Sequence, residues 1–447
     1  MNENKNISAR DTALEVLMQI SSANAWSDGS LKRTIAKNGL DSRDAALAAR
    51  LSYGVVQNRM LLDYYIGCYC KQRPHHLETV VLNILRLGAY QLLFLDKVPV
   101  HSAVNEAVES VKRHGRPKAA GLINAVLRKL AAGRDELPPL PSDSTLSRLS
   151  VAYSHPKWLV QRILDTVGEA ETEAFLRCNN EIPPVSAQTN LLKTTPDELK
   201  RELLEAGVTV EDHPWLTGCF LLGGTGDLES LPAFREGRFL VQDAAARLAV
   251  LAAHPEPRDR VMDVCAAPGG KSFALAIDME DEGDILSCDV HPHKLKLLEN
   301  GAGRLGLRSI RTALADGREA HAAWQGQADL VIADVPCSGL GIIRKKPDIR
   351  YKDPKELSEL PDVQRSILEN VASYVRPGGA MIYSTCTVLR AENEAVTDEF
   401  LANHTDFVRE SFTLPGPIGK VAAGQITLWP QRHGTDGFYI CRMRKKQ

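Results

Sequence analysis

From Gly237 to its last residue the chain alternates short apolar runs with amphipathic stretches. Residues 260–265, 284–289, 310–314, 328–334 and 379–384 read as strands. Helical spacing fills the gaps, over residues 271–278, 292–305, part of 354–375, and 392–402. A strand that returns parallel to its neighbour needs a crossover, and the usual crossover is a helix. The predicted fold of residues 236–447 is therefore a Rossmann-like α/β sheet with helices on both faces. In such sheets ligands bind beyond the carboxyl ends of the strands. Residues 425–429 and 437–444 read as a closing antiparallel pair.

The front of the chain has a different rhythm. Residues 1–135 read as all-helical. Ala9, Ala13, Leu14, Leu17 and Met18 recur at helical spacing, with Ser8 placed to cap the first turn. Val80, Val81, Ile84, Leu85, Leu87, Leu92 and Leu93 mark a strongly apolar helix, and residues 100–112 and 118–132 continue the pattern. Leu137-Pro138-Pro139-Leu140-Pro141 cannot continue a helix and reads as a linker. Residues 150–235 mix both periods: helix over 156–179 and 196–206, strands over 185–193 and 219–222. The chain is thus expected to be multidomain. An all-α domain (1–140) precedes a small α+β domain (145–235), and the α/β domain (236–447) follows.

Composition narrows the setting. Of 447 residues, 44% are hydrophobic and 25% charged, and no apolar run reaches the ~18 residues of a membrane span. Met1 to Arg10 is polar, without an apolar signal core, so a cytoplasmic protein with no membrane partner is expected. The nine cysteines are odd in number and none sits in a C-x-x-C pair. Reduced thiols fit this better than disulfides or a metal site, and no metal is expected. Cys68 and Cys70 read as buried or half-buried thiols.

Charge is unevenly spread. Residues 1–145 carry 19 Lys and Arg against 14 Asp and Glu, and the remainder 35 against 42. No acid lies between Glu109 and Asp135, whereas Lys112, Arg113, Arg116, Lys118, Arg128, Lys129 and Arg134 all do. Such a run can neutralise several phosphates, although a solvated helix face would look the same.

Cys265-Ala266-Ala267-Pro268-Gly269-Gly270-Lys271 sits between a predicted strand and a predicted helix. Small residues let the backbone approach a ligand, and a helix N-terminus favours an anionic group. Asp289 ends the next strand, where a carboxylate can accept from ribose hydroxyls. Asp316 follows the strand after that and is placed to meet an adenine amino group. Asp334 ends the fourth. The turn is not G-x-G-x-x-G, which disfavours a dinucleotide. A row of carboxylates also suits a cationic sulfonium better than a polyphosphate.

Two thiols fall on the same predicted rim. Asp334-Val335-Pro336-Cys337-Ser338 follows one buried strand, and Ser384-Thr385-Cys386-Thr387 follows the next. A lone buried cysteine usually acts as a small hydrophobe. Two of them at neighbouring strand ends suggest chemistry. Carbon 5 of a pyrimidine is a poor nucleophile until a thiolate adds to carbon 6, and covalent attack of this kind splits one hard step into easier ones. Asp334, if protonated, would hydrogen-bond near ring nitrogen 3 and draw charge from carbon 6. The residues leave open which cysteine attacks. After Cys337, the bases Arg344, Lys345, Lys346, Arg350 and Lys352 surround Tyr351. That pattern suits a single-stranded nucleic-acid backbone with one base to stack, or a solvated loop.

Together these motifs resemble the Nop/Sun family of RNA cytosine-C5 methyltransferases. The similarity runs from Val241-Gln242-Asp243 through 266–271, 334–338, Pro347-Asp348, Gln364 and 384–386 to Asp436-Gly437-Phe438. The helical front is similar to NusB-type RNA-binding domains, a pairing that resembles the bacterial 16S ribosomal RNA branch of the family. The resemblance implies S-adenosyl-L-methionine as cofactor, held by residues 265–271, Asp289, Asp316 and Asp334. It implies that Cys386 is the nucleophile and that Cys337 assists product release. It also implies 16S ribosomal RNA, free or in early assembly, as the substrate of a monomeric enzyme. Val335 stands where the family usually has alanine, and Ala244-Ala245-Ala246 where a serine is common; neither removes a reactive group.

Other readings remain at this level. The same chemistry on transfer RNA is indistinguishable, because target choice lies in surface shape. A non-catalytic RNA-binding factor would show a degraded turn or a missing cysteine. A nicotinamide oxidoreductase would need G-x-G-x-x-G. An amino methyltransferase would have a Pro-Pro-aromatic motif where Asp334-Val335-Pro336-Cys337 stands.

Overall fold

The computed structural model describes residues 7–23 and 27–447, so residues 1–6 of the polar start lie outside the described residues. Its contacts divide the chain into two units. The first holds the residues up to Glu181 together with Ile343–Lys352, and the second holds Ile182–Ile342 and Asp353–Gln447. No helix among the described residues is long and apolar enough to cross a membrane.

The first unit is helical. Ser8 caps the helix Ala9–Ala23 as its position predicts, its Oγ accepting from the Asp11 amide at 3.1 Å. The centre is the helix Thr79–Phe94, buried on nearly every side through Val81, Ile84, Leu85, Leu87 and Leu92. Helices Ser42–Gln57, Arg59–Tyr69, Val100–Arg113 and Ala120–Ala132 pack their apolar stripes around it. Cys68 is exposed rather than buried. The core face of its helix is set by Leu62, Tyr65 and Ile66, and position 68 falls off that stripe.

The helix Ala120–Ala132 ends at Gly133, and the proline run that follows does not leave the unit. Leu137 and Leu140 pack against the helical core. Helices Thr145–Ala152, Lys157–Val167 and Glu169–Cys178 belong to the same unit. The single helix expected over 156–179 is two, broken at Gly168, whose φ is +78°.

In the second unit, β1 (Val185–Thr189), β2 (Thr209–Asp212), β3 (Cys219–Gly223) and β4 (Phe239–Val241) form an antiparallel sheet in the order β2-β3-β1-β4. The helix Pro196–Glu205 carries a capping box between Thr195 and Glu198 and packs with this sheet.

The large sheet follows. Its parallel strands are β5 (Arg260–Asp263), β6 (Asp284–Asp289), β7 (Ile310–Leu314), β8 (Ala328–Asp334) and β9 (Val375–Thr385). β10 (Phe407–Arg409), β13 (Gln425–Leu428) and β14 (Phe438–Lys445) join antiparallel, while β11 (Phe412–Leu414) and β12 (Gly419–Val421) pair separately. The order is β10-β14-β9-β8-β5-β6-β7, with β13 on β14. The expected final pair is therefore present, and β14 also pairs with β9 inside the sheet. The multidomain architecture agrees with the sequence reading: a helical front, a small α+β part and a Rossmann-like α/β part.

Candidate active site

The order of the large sheet places β5 between β6 and β8, with β9 beyond β8. All run parallel, so Asp263, Asp289, Asp334 and Cys386 come to one edge, at the carboxyl ends of the strands.

The turn after β5 is tight. The Ala266 amide donates to the Cys288 carbonyl at 2.8 Å, and the Gly269 amide to the Ala266 carbonyl at 2.7 Å. The Ala267–Pro268 bond is cis. Gly269 has φ +109°, and a Cβ there would lie 2.4 Å from the Phe273 ring. Glycine is therefore needed to open the helix Gly270–Asp278. Gln242 steadies the turn from outside, its Nε2 donating to the Gly270 carbonyl at 2.8 Å. Asp243 caps the helix Ala244–Ala253 and also accepts from the Asp436 amide at 3.2 Å. Two motifs nearly two hundred residues apart thus meet.

Three strand-end carboxylates differ in their partners. Asp289 Oδ1 accepts from the His291 amide at 2.9 Å, and among the described residues no protein donor reaches Oδ2. A nearly buried carboxylate with one oxygen left over fits a ribose diol. Asp316 is engaged by Arg318 through both guanidinium and amide, which holds it below the usual carboxylate range. An adenine amino group there would share that carboxylate with Arg318. Asp334 Oδ2 pairs with Lys271 Nζ at 2.6 Å, and Oδ1 accepts from Ser384 Oγ at 2.8 Å.

Lys271 therefore turns its ammonium to Asp334, and it also lies over the Phe438 ring at 5.1 Å. Burial opposes its charge, but Asp334, Asp263 and Cys386 offset this and hold its pKa above the ordinary lysine value. Burial pushes the Cys265 thiol well up, so it is an inert wall of the turn.

The two thiols meet. Cys337 Sγ and Cys386 Sγ are 3.2 Å apart, and both residues are partly exposed. The hydrogen bond to Cys386, then burial and the charges of Glu392 and Asp334, push the Cys337 thiol well above its ordinary range. The loops are stitched together. The Val335 amide donates to the Ser384 carbonyl, the Gly341 amide to the Cys386 carbonyl, and Ser338 Oγ to Thr387 Oγ1. Gly341 touches Gly437 backbone to backbone, and a Cβ on Gly341 would stand 1.8 Å from the Gly437 carbonyl oxygen.

Sequence reasoning missed Glu392 and Asn393, which lie buried beside the thiol loops. The only available signal was a Glu-Asn pair shortly after Cys386, where an amphipathic helix begins.

The basic segment after Cys337 is not a stacking platform. Arg350 is fully buried in the first unit. Its Nη1 donates to the carbonyls of Gln57, Tyr153 and Ser154 and to Asn180 Oδ1, and its Nη2 to the Asn179 carbonyl. Tyr351 lies under the Arg59 guanidinium, 3.5 Å from its ring centroid, and donates to the Val56 carbonyl. These two side chains act as an anchor, because a guanidinium can satisfy several helix-end carbonyls at once. Lys346 remains exposed.

The acid-free run of the front is also altered by folding. Lys112 pairs with Glu109, Arg113 with Asp11 and Glu106, Arg116 with Glu78, and Arg134 with Asp135. Lys118, Arg128 and Lys129 stay exposed with no ion pair among the described residues.

A parallel sheet with a glycine-bearing turn after one strand and carboxylates at the next three is the frame of an S-adenosylmethionine-dependent methyltransferase. Comparison with known proteins agrees. Residues 250–444 match the family described as 16S rRNA methyltransferase RsmB/F, residues 7–132 the NusB family, and residues 155–229 an RsmF/B-like ferredoxin-like domain. The chain is 36% identical to a probable ribosomal RNA small subunit methyltransferase B of Bacillus subtilis, over 99% of this chain and 100% of that one. It is 35% identical to the protein of the same description from Synechocystis, over 98% and 100%. Among solved structures, PH0851 superposes with a TM-score of 0.81 at 28% identity, covering 100% of this chain and 99% of that one. NSun6 from Pyrococcus horikoshii, solved with SFG, shares the fold at a TM-score of 0.57 and 20% identity, over 65% and 98%. The chain belongs to the RsmB/F family of ribosomal RNA small subunit methyltransferases, and it is a methyltransferase that acts on RNA.

Proposed function

We propose that this enzyme methylates carbon 5 of a cytosine in 16S ribosomal RNA through a covalent adduct between Cys386 and carbon 6. The observation that carries the reading is the 3.2 Å separation of two thiols at the ends of adjacent strands, on the rim that holds the cofactor turn. S-adenosyl-L-methionine, when bound, supplies an electrophilic methyl group. Residues 265–271 would cradle it, with Asp289 on the ribose, Asp316 near the adenine and Asp334 at the rim.

The protein's part is to make and break one bond. Cys386 Sγ adds to carbon 6, and the carbon 5–carbon 6 π bond opens to make carbon 5 nucleophilic. After transfer, the carbon 5 proton leaves to solvent, the Sγ–carbon 6 bond breaks, and the ring double bond re-forms. Two observations support Cys386 as the attacker. It interacts electrostatically with the Lys271 ammonium. Cys337, by contrast, is held as a thiol, and so carries a proton for the sulfur that leaves carbon 6. Asp334, whose Oδ2 pairs with Lys271 and whose Oδ1 accepts from Ser384, is an acceptor, set to take a hydrogen bond from the cytosine amino group rather than to donate to ring nitrogen 3.

Residues 1–140 would bind RNA, with 145–235 standing in the chain between them and the catalytic residues 236–447. The enzyme is expected to work in the cytoplasm as a monomer.

The test uses the full chain and unmodified 16S ribosomal RNA. C386A should abolish methyl transfer while keeping cofactor affinity. C337A should accumulate a protein–RNA adduct that survives a denaturing gel. Turnover by C386A, or the absence of an adduct with C337A, sinks the assignment. Bisulfite mapping of ribosomal and transfer RNA from cells lacking the protein separates the two RNA substrates.

A further inference from the structure

The loops that carry the two thiols are held by buried polar side chains that bond the residues on either side of each cysteine. Glu392 ends the short turn Arg390–Glu392 beyond β9 and is 1% exposed. Its Oε2 accepts from the Ser338 amide at 2.8 Å and from Gln364 Nε2 at 3.0 Å. The same Gln364 nitrogen donates to the Pro336 carbonyl at 3.0 Å. Cys337 is thus gripped on one side through Pro336 and on the other through Ser338, and the two grips meet at one carboxylate oxygen. Asn393 does the same for Cys386: its Oδ1 accepts from Thr385 Oγ1 at 2.5 Å, and its Nδ2 donates to the Thr387 carbonyl at 3.0 Å.

Burial of a carboxylate is costly unless its oxygens are satisfied. Here Glu392 Oε1 is buried without a partner. A glutamine would keep the acceptor, with its amide oxygen in place of Oε2. The retained charge sits beside a thiol whose pKa is raised first by Cys386 and by burial, and further by Glu392.

We propose that Glu392, acting through Ser338 and Gln364, is a positioning residue that holds Cys337 within reach of Cys386 for the release step. This rests on the reading of Cys337 as the releasing thiol.

The experiment compares E392A, E392Q, Q364M and C337A in the full chain, with S-adenosyl-L-methionine and unmodified 16S ribosomal RNA. E392A loosens both grips, and a misplacement of about 1 Å costs ~100-fold in rate. Turnover should fall by that order while the protein–RNA adduct accumulates, as in C337A. E392Q keeps the acceptor and should restore most of the turnover. Its alkaline limb should move slightly to lower pH, because one of the charges that add to the effect of Cys386 and burial on Cys337 is gone. If E392A does not melt cooperatively, Q364M replaces it, since it frees Pro336 while leaving the Glu392–Ser338 bond; the adduct is again expected. Loss of turnover without an adduct, or wild-type behaviour of the variant, overturns the positioning role while C337A still traps its adduct. If C337A traps none, the release reading itself falls, and the inference with it.

Discussion

Lys271 Nζ and Asp334 Oδ2 lie 2.6 Å apart, although 63 residues separate them in the chain. The side chain of Lys271 is 10% exposed and that of Asp334 29%. The cofactor turn and the loop of Cys337 are therefore locked by one ion pair. Removing one partner of a buried pair costs about 3–5 kcal/mol, and the exposure of Asp334 reduces this to about 2 kcal/mol. K271M should lose that much stability in urea unfolding, and the double variant K271M/D334N should recover part of it. Because the Lys271 pKa is raised, its contribution is complete below the ordinary lysine value and is lost only as pH rises past the folded one. A coupling energy that changes between pH 6 and 9 would contradict this.

Asp263 gives the same sign in a lower window. Burial raises its pKa from 3.8 to about 7, against a hydrogen bond from Ser272 Oγ at 2.7 Å. Between those values the folded state binds the extra proton, so stability falls as pH rises through the window. A shift of this size corresponds to about 4 kcal/mol above pH 7. D263N cannot ionise and should gain on the wild type steadily from pH 4 to about pH 7 and level off above that, as read by urea midpoints. A difference independent of pH would remove burial of the carboxyl as the cause.

Arg350 satisfies oxygens of Gln57, Tyr153, Ser154, Asn179 and Asn180, and burial lowers its pKa to about 10. R350A should destabilise the first unit by about 3–5 kcal/mol, because it orphans several buried carbonyls. R350K, with one ammonium in place of a fork, should fall between. Limited proteolysis should cut R350A between residues 338 and 353 faster than the wild type. An unchanged urea midpoint would show that the anchor is dispensable.

Folding leaves Lys118, Arg128 and Lys129 as the bases of the acid-free run with no ion pair among the described residues. The triple variant K118E/R128E/K129E should weaken RNA binding and flatten its salt dependence, by about one unit of slope for each phosphate no longer neutralised. R113A, whose guanidinium holds Asp11 and Glu106, should lower stability and leave the slope unchanged. Fluorescence anisotropy across a salt series separates the two; equal slopes for all three proteins would exclude these bases as phosphate contacts.

Much of this protein was legible in its sequence. β6, β7 and β8 end where apolar periodicity places them, and Asp289, Asp334 and Cys386 fall at strand ends because parallel crossovers leave no other choice. Local patterns of this kind depend on neighbours a few residues away. The same holds for Ser8 as a cap and for Gly269, which must take a positive φ.

Partnership was not legible, because it depends on residues distant in the chain. The bases of the front looked unopposed until Asp11 and Glu78 arrived from elsewhere in the fold. Arg350 and Tyr351 looked like an exposed RNA contact, yet the tertiary fold buries Arg350, since a guanidinium can be buried where enough carbonyls converge, and half-buries Tyr351 against Arg59. Nothing local distinguishes Glu392 from a surface acid. The sequence by itself determined the order of strands and helices and the rim on which the thiols would lie. Only the tertiary structure brought the two sulfurs to 3.2 Å and gave Lys271 to Asp334, because hydrogen bonds and ion pairs act over a few ångströms of space, whatever their separation along the chain.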